Sequence, residues 1–269
     1  MIPKLSIHLL SLVFLLSLIA CSKKNLSHDA SCNLRYETLH TQFEKGKYAQ
    51  VREPLSNFLT ECSGSQFAEQ AQYELAESHY RLKDWILAKS EFEYLLRSFP
   101  ATRYGEEASF KSARCTQHQM YSVNRDQTHT QEALQEYQDF LLDYSYSTWS
   151  DSARQQIGVL RSQLAKKELN IAKLYRKRDE YLASAIYLKS ALRNYRDVID
   201  THQVRLQLAS CYSNLNQLDE AKTYLNEVQL QKEHPLYSML EGAKEELADK
   251  EKELSKKRAK AKVKVVDEF

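Results

Sequence analysis

Residues 69–100 read EQAQYELAESHYRLKDWILAKSEFEYLLRSFP, and this stretch decides the fold. Its first half carries Ala71, Leu75, Ala76 and Tyr80, a spacing that puts all four on one side of an α-helix. Polar Lys83-Asp84 interrupts the pattern and marks a turn. Trp85, Ala88, Phe92 and Leu95 then restart it as a second helix, and Pro100 stops that helix because it cannot extend the hydrogen-bond ladder. Two amphipathic helices joined by so short a turn must fold back on each other. Small Ala76 and Ala88 let the backbones approach, while Trp85 and Phe92 fill the space beside them.

This order of small, aromatic and aliphatic residues is the spacing of a tetratricopeptide repeat, and weaker copies flank it. Copy one starts near Cys32, turns at Gly46 and Tyr48, and continues through Val51, Leu55 and Phe58. Pro54 falls inside its second helix, which predicts a kink or a late helix start. Copy three begins near Arg114, is interrupted by an insert from Ser122 to Thr130, and resumes with Ala133, Tyr137 and Phe140. Copy four starts near Ala165 and carries Tyr181, Ser184, Leu188 and Ala191. Copy five starts near His202, with Leu208, Ala209, Tyr212, Leu218, Ala221, Leu225 and Val228. The expected fold is all-α, a right-handed α-solenoid of about five tetratricopeptide-like helix pairs plus a C-terminal capping helix. The repeat domain is expected over 32–236, in halves of 32–113 and 114–236, followed by a cap over 237–256 and a charged tail over 257–269.

Composition agrees. Only five Gly and four Pro punctuate 269 residues, and charged residues make up 28%, so few breakers oppose helix. Net charge is +2 with the signs interspersed, which argues against a nucleic-acid partner. No nucleophile elbow, phosphate-binding glycine loop or His-Glu-x-x-His stretch occurs, so the chain reads as an interaction protein and not an enzyme. Cys115-x-x-His118 is an isolated half-motif, and no metal site is expected. Cys115 and Cys211 fall on inner helix positions and read as buried small residues. Cys32 opens the first helix of copy one and Cys62 ends the second, so antiparallel packing brings them near each other. They are either a disulfide that staples the terminal repeat or two separate thiols.

At the N-terminus, one Lys precedes an apolar run from Leu5 to Ala20 that ends Leu18-Ile19-Ala20-Cys21. This resembles a bacterial lipoprotein signal peptide, which implies cleavage before Cys21 and acylation of that residue. Residues 1–20 are then the signal, and 21–31 a lipidated Cys with a flexible polar tether. Acyl chains hold a protein on a membrane because each buried methylene adds roughly 0.8 kcal/mol. Ser22, where Asp favours inner-membrane retention in many such lipoproteins, implies an outer-membrane address on the periplasmic face. No cofactor is expected beyond the covalent lipid.

Two internal blocks narrow the reading. Arg125-Asp126-Gln127-Thr128 with Ala133, Tyr137 and Asp143-Tyr144 is one. Leu164-Ala165, Glu168-Leu169, Ala172, Tyr175, Arg178, Tyr181, Ala183 and Ala185-Ile186 is the other. With the lipobox, they resemble the BamD (ComL) family of outer-membrane protein assembly lipoproteins over roughly Cys21 to Val228. The resemblance implies a scaffold of the β-barrel assembly machinery, partnered by a barrel protein of the BamA type and other assembly lipoproteins. It also implies that the N-terminal repeats receive unfolded β-barrel substrates. Candidate groove residues there are Tyr36, Glu37, His40, Phe43, Tyr73, Glu74, Glu77, Tyr80 and Arg81. Tyr187 stands where the family carries an Arg facing an acidic residue of the barrel partner. Contact is therefore expected through packing by Tyr187, Tyr175 and Arg178. The rival reading is another periplasmic repeat lipoprotein that coordinates cell-wall or division proteins.

Overall fold

The computed structural model describes residues 29–267, with side chains to residue 258. The proposed signal peptide, Cys21 and most of the tether lie outside the described residues. Eleven helices follow one another, with no strand among the described residues: α1 (residues 29–44), α2 (Tyr48–Glu61), α3 (Ala68–Arg81), α4 (Trp85–Ser98), α5 (Gly105–His118), α6 (Thr128–Asp143), α7 (Ser150–Arg176), α8 (Tyr181–Asn194), α9 (Thr201–Asn214), α10 (Leu218–Asn226) and α11 (Tyr237–Asp267). They form five consecutive pairs and a last single helix. Two compact units result. The first takes the chain up to Met120 with Glu132–Arg154, and the second takes Tyr121–Gln131 and everything from Gln155.

Four of the five pairs turn in the same way. Gly46, Lys83, Asp179 and Asn216 all have positive φ, between 59° and 72°. In each turn the next N–H reaches back five residues: Lys47 to Gln42, Asp84 to His79, Glu180 to Tyr175 and Gln217 to Tyr212, at 2.9–3.1 Å. The left-handed residue thus reverses the chain while satisfying carbonyls that the helix end leaves open. Only the first turn uses Gly, the residue that reaches this conformation without Cβ strain.

In the first unit, α2 packs on α3, α3 on α4 and α4 on α5. Val51, Leu55, Phe58, Ala71, Ala76, Ala88, Phe92 and Leu95 are fully or almost fully buried along these seams. Ala76 and Ala88 sit where close approach requires small residues. Trp85 packs against this core without being fully buried. It is half-buried at the edge of that cluster, packing against it beside fully buried Phe92, and stacks on the His118 ring at 4.0 Å. Helix α2 starts at Tyr48 and runs through Pro54, so the late start does not occur. The carbonyl that Pro54 cannot bond belongs to exposed Gln50, which water can serve. Cys32 and Cys62 are joined by a disulfide, with Cα atoms 5.9 Å apart.

The second unit has its own core of Leu188, Val204, Leu206, Leu208, Cys211, Ala221 and Leu225. Helix α8 rests on α9 and α9 on α10, while α11 covers α9 and α10 with buried Leu240 and Leu247. The sequence places a boundary at residue 256, whereas α11 runs on to Asp267. The insert is a loop as far as Gln127, and its last three residues open α6. Gln127 is buried, and its Nε2 lies 3.0–3.5 Å from the carbonyls of Ser122, Val123, Arg125 and Asp126. Its Oε1 accepts from Thr130 and from Gln163 of α7, and Lys167 donates to the Arg125 carbonyl. One side-chain amide therefore organises the whole loop against α7.

Candidate functional site

Helices α1 and α3 of the first unit carry the groove candidates, with α5 packed beside them, and the structure divides the candidates. Tyr36, Glu74 and Glu77 are 2–3% exposed, so they cannot line an open groove. Tyr36 stacks on Phe67 at 4.5 Å, and its hydroxyl donates to Glu74 Oε1 at 2.6 Å. Burial, reinforced by the Glu74 carboxylate, pushes its phenol well above the ordinary range. The same Glu74 oxygen lies 2.7 Å from His40 Nδ1 and accepts from Gln70 at 3.2 Å. Glu77 bonds Lys111 Nζ and Arg81 Nε, each at 2.6 Å. These carboxylates tie each first helix of a pair to the next. Their role is to hold the face together, and the expectation that they contact a peptide is corrected.

What remains accessible is a run of half-buried rings. Tyr73 stacks on Tyr104 at 4.1 Å, and Tyr80 meets Trp85 edge-on at 5.4 Å. Phe43 packs edge-on against Tyr48 at 5.5 Å. The Lys111 ammonium lies 5.8 Å from the Tyr73 ring and 5.3 Å from the Tyr80 ring, so the cation fixes both rings. Burial comes first among the causes that raise the Tyr73 and Tyr80 phenols. Glu37 and Arg81 are exposed at the margins, and His40 is half-exposed. Gln70, Tyr104, Glu107 and Lys111 were missed in the sequence. The readable signal was Lys111, a lone cation at a core register among Ala108, Phe110 and Ala113.

In the second unit, Tyr175 and Tyr187 are half-buried and stack on each other at 5.6 Å, joining the end of α7 to α8. The Ser184 hydroxyl, donating to the Ala172 carbonyl at 2.9 Å, sets that spacing. Arg178 is exposed in the turn between them, its N–H bonded to the Tyr175 carbonyl. Beside Tyr187, α8 exposes Leu182 and Ile186 one turn apart, at 59% and 60%. All three partner-surface candidates thus occur together next to an apolar strip.

The other candidates resolve simply. Cys115 is buried, and burial pushes its thiol up to about 12, which disfavours the thiolate that nucleophilic attack or metal ligation requires. His118 is held instead by Trp85. No group of potential metal ligands occurs among the described residues, and no helix among them is long and apolar enough to cross a membrane.

Residues 28–230 match the model of the YfiO family, described as an outer membrane lipoprotein. The chain belongs to the YfiO family. Curated proteins are similar to it at low identity. The outer membrane protein assembly factor BamD of Caulobacter vibrioides is 23% identical over 189 residues, which is 70% of this chain and 62% of that protein's own length. That of Pasteurella multocida is 23% identical over 196 residues, covering 69% of this chain and 75% of its own. A solved thermophilic TPR protein from Thermus thermophilus aligns with 81% of this chain and 99% of its own, at 18% identity and a TM-score of 0.35. The YfiO match takes in all five helix pairs and stops before α11.

Proposed function

We propose that this chain is a lipid-anchored periplasmic scaffold of the machinery that assembles outer-membrane β-barrel proteins. The observation that carries the reading is the YfiO match across residues 28–230, joined to curated relatives named as BamD assembly factors. Cys21 takes the lipid and tethers the repeats to the periplasmic face of the outer membrane. The α8 strip with Tyr175, Arg178 and Tyr187 holds a barrel-bearing partner of the BamA type by packing, because Tyr187 offers a flat ring and not a guanidinium. The ring-lined face of α1, α3 and α5 receives unfolded barrel substrates through Phe43, Tyr73 and Tyr80, whose apolar faces suit the aromatic ends of barrel strands. The chain contributes binding and orientation and performs no catalytic step.

Affinity purification of tagged protein from detergent-solubilised membranes tests the assignment. A co-purifying outer-membrane barrel with periplasmic POTRA domains is expected. Recovery of peptidoglycan enzymes without any barrel overturns it. Ile186→Asp places a charge on the α8 strip and is expected to reduce barrel recovery at least tenfold while helix content stays unchanged.

A further inference from the structure

A third surface on this chain has the chemistry of a ligand site. In the second unit, a cleft of about 430 Å³ opens between the C-terminal half of α7 and the first turns of α9. Helix α7 contributes Lys166, Lys173 and Arg176, whose spacing puts all three on one side. None of these cations is in an ion pair with a described residue. Elsewhere in this unit Arg161 is matched by Asp197, Arg205 by Glu227 and Lys222 by Glu251. The cleft therefore collects positive charge that the fold leaves unneutralised. One carboxylate lines it, Asp200, and that group already accepts the backbone N–H of Gln203 at 3.0 Å to start α9.

The remaining lining says what form the anion takes. Gln203 and Gln207 face the cleft from α9, and Asn170 faces it from α7 with its Oδ1, its Nδ2 already donating to Asn124 at 2.9 Å. Amides both donate and accept, which is what an extended backbone offers in return. Val198 and Ile199 add apolar surface between the helices. We propose that this cleft binds an extended acidic peptide segment, its carboxylates on Lys166, Lys173 and Arg176 and its main chain between the amides of α7 and α9. A cleft between successive first helices of repeats is where such arrays grip extended chains. A bilayer surface fits less well, because Asn170, Arg176 and Gln207 are half-buried in a recess that headgroups on a flat surface do not enter. This site is separate from the α8 strip and from the ring-lined face of the first unit.

Fluorescence anisotropy with the full chain in detergent tests the proposal. The probes are a short labelled peptide rich in Glu and the same peptide with Gln in place of Glu. The Glu peptide is expected to bind at least tenfold more tightly, with affinity falling steeply as salt rises. Lys173→Glu is expected to weaken it about tenfold. Lys252→Glu, equal in charge change but outside the cleft lining, is expected to leave it within about twofold. Gln203→Leu weakens both peptides without altering the preference for Glu. If Lys173→Glu lowers helix content, the paired Lys166→Gln and Arg176→Gln variants give the same reading. Equal affinity for the two peptides, or equal losses from Lys173→Glu and Lys252→Glu, overturns the proposal. So does attachment to phosphatidylglycerol vesicles without peptide binding.

Discussion

Lys111 shows how much a single side chain holds in this fold. It sits 7% exposed between Glu77, Glu107, Tyr73 and Tyr80, and it neutralises a carboxylate that has almost no access to water. Lys111→Met keeps the stem and removes the charge. It is expected to cost about 3 kcal/mol, because Glu77 keeps only Arg81. Urea unfolding midpoints measure this, and a loss below about 0.5 kcal/mol shows that the pair is well solvated. Gln127→Leu is expected to cost about 2 kcal/mol, since several loop carbonyls lose their common donor. Faster amide exchange concentrated in residues 121–127 is the expected sign, and an unchanged loop overturns that role. Residue order marks Lys111 as a lone cation at a core register but does not give its partner, and nothing in it marks the role of Gln127. Lys111 meets Glu77 from a helix in the next pair, and sequence periodicity describes one helix at a time. The same limit misplaced Tyr36, Glu74 and Glu77, since about 100° of helix phase separates adjacent residues and so a groove from a seam.

At the scale of the element, the turns and the terminal pair decide local stability. Lys83 and Asp179 are held in left-handed geometry, which costs an L-residue roughly 1–2 kcal/mol and costs glycine almost nothing. Asp179→Gly is therefore expected to raise stability by about 0.5–1 kcal/mol, seen as a higher melting temperature by circular dichroism. An unchanged or lower value places compensating contacts on the Asp179 carboxylate, which accepts from the Tyr181 hydroxyl at 2.6 Å. The Cys32–Cys62 bond closes a loop of 30 residues, which corresponds to roughly 3–4 kcal/mol of chain entropy. Cys32→Ser is expected to release α1 first, read as faster amide exchange in residues 29–44 with the second unit unaffected. Helix pairs were legible because Ala76, Ala88, Phe92, Leu188 and Ala221 repeat with helical period and all are buried. The continuous α7 was not, because Ser150–Arg176 contains no Gly or Pro except Gly158, which has open space around it, and nothing in the pattern distinguishes its two ends.

Over the whole chain, both units bury ionisable groups in their neutral form. Burial raises the Tyr36, Tyr73 and Tyr137 phenols above their ordinary value near 10. A raised folded-state pKa means that this stability is complete below about pH 10 and is lost as the pH climbs past it. Alkaline titration is expected to leave part of the phenolate absorbance undeveloped until the helix signal is lost; complete ionisation of the tyrosines with the helix intact would falsify this. Cys115, pushed up to about 12, loses its contribution above about pH 9, and both it and Cys211 are expected to resist thiol reagents at pH 8 until the chain unfolds. The crosslink between Cys32 and Cys62 also carries a clock. Every chain is made where thiols stay reduced, so the newborn polypeptide starts life with its leading helix unfastened. On the proposed route to the periplasm, full rigidity arrives only in that oxidising space, which keeps the front of the molecule pliant for as long as it still has to travel.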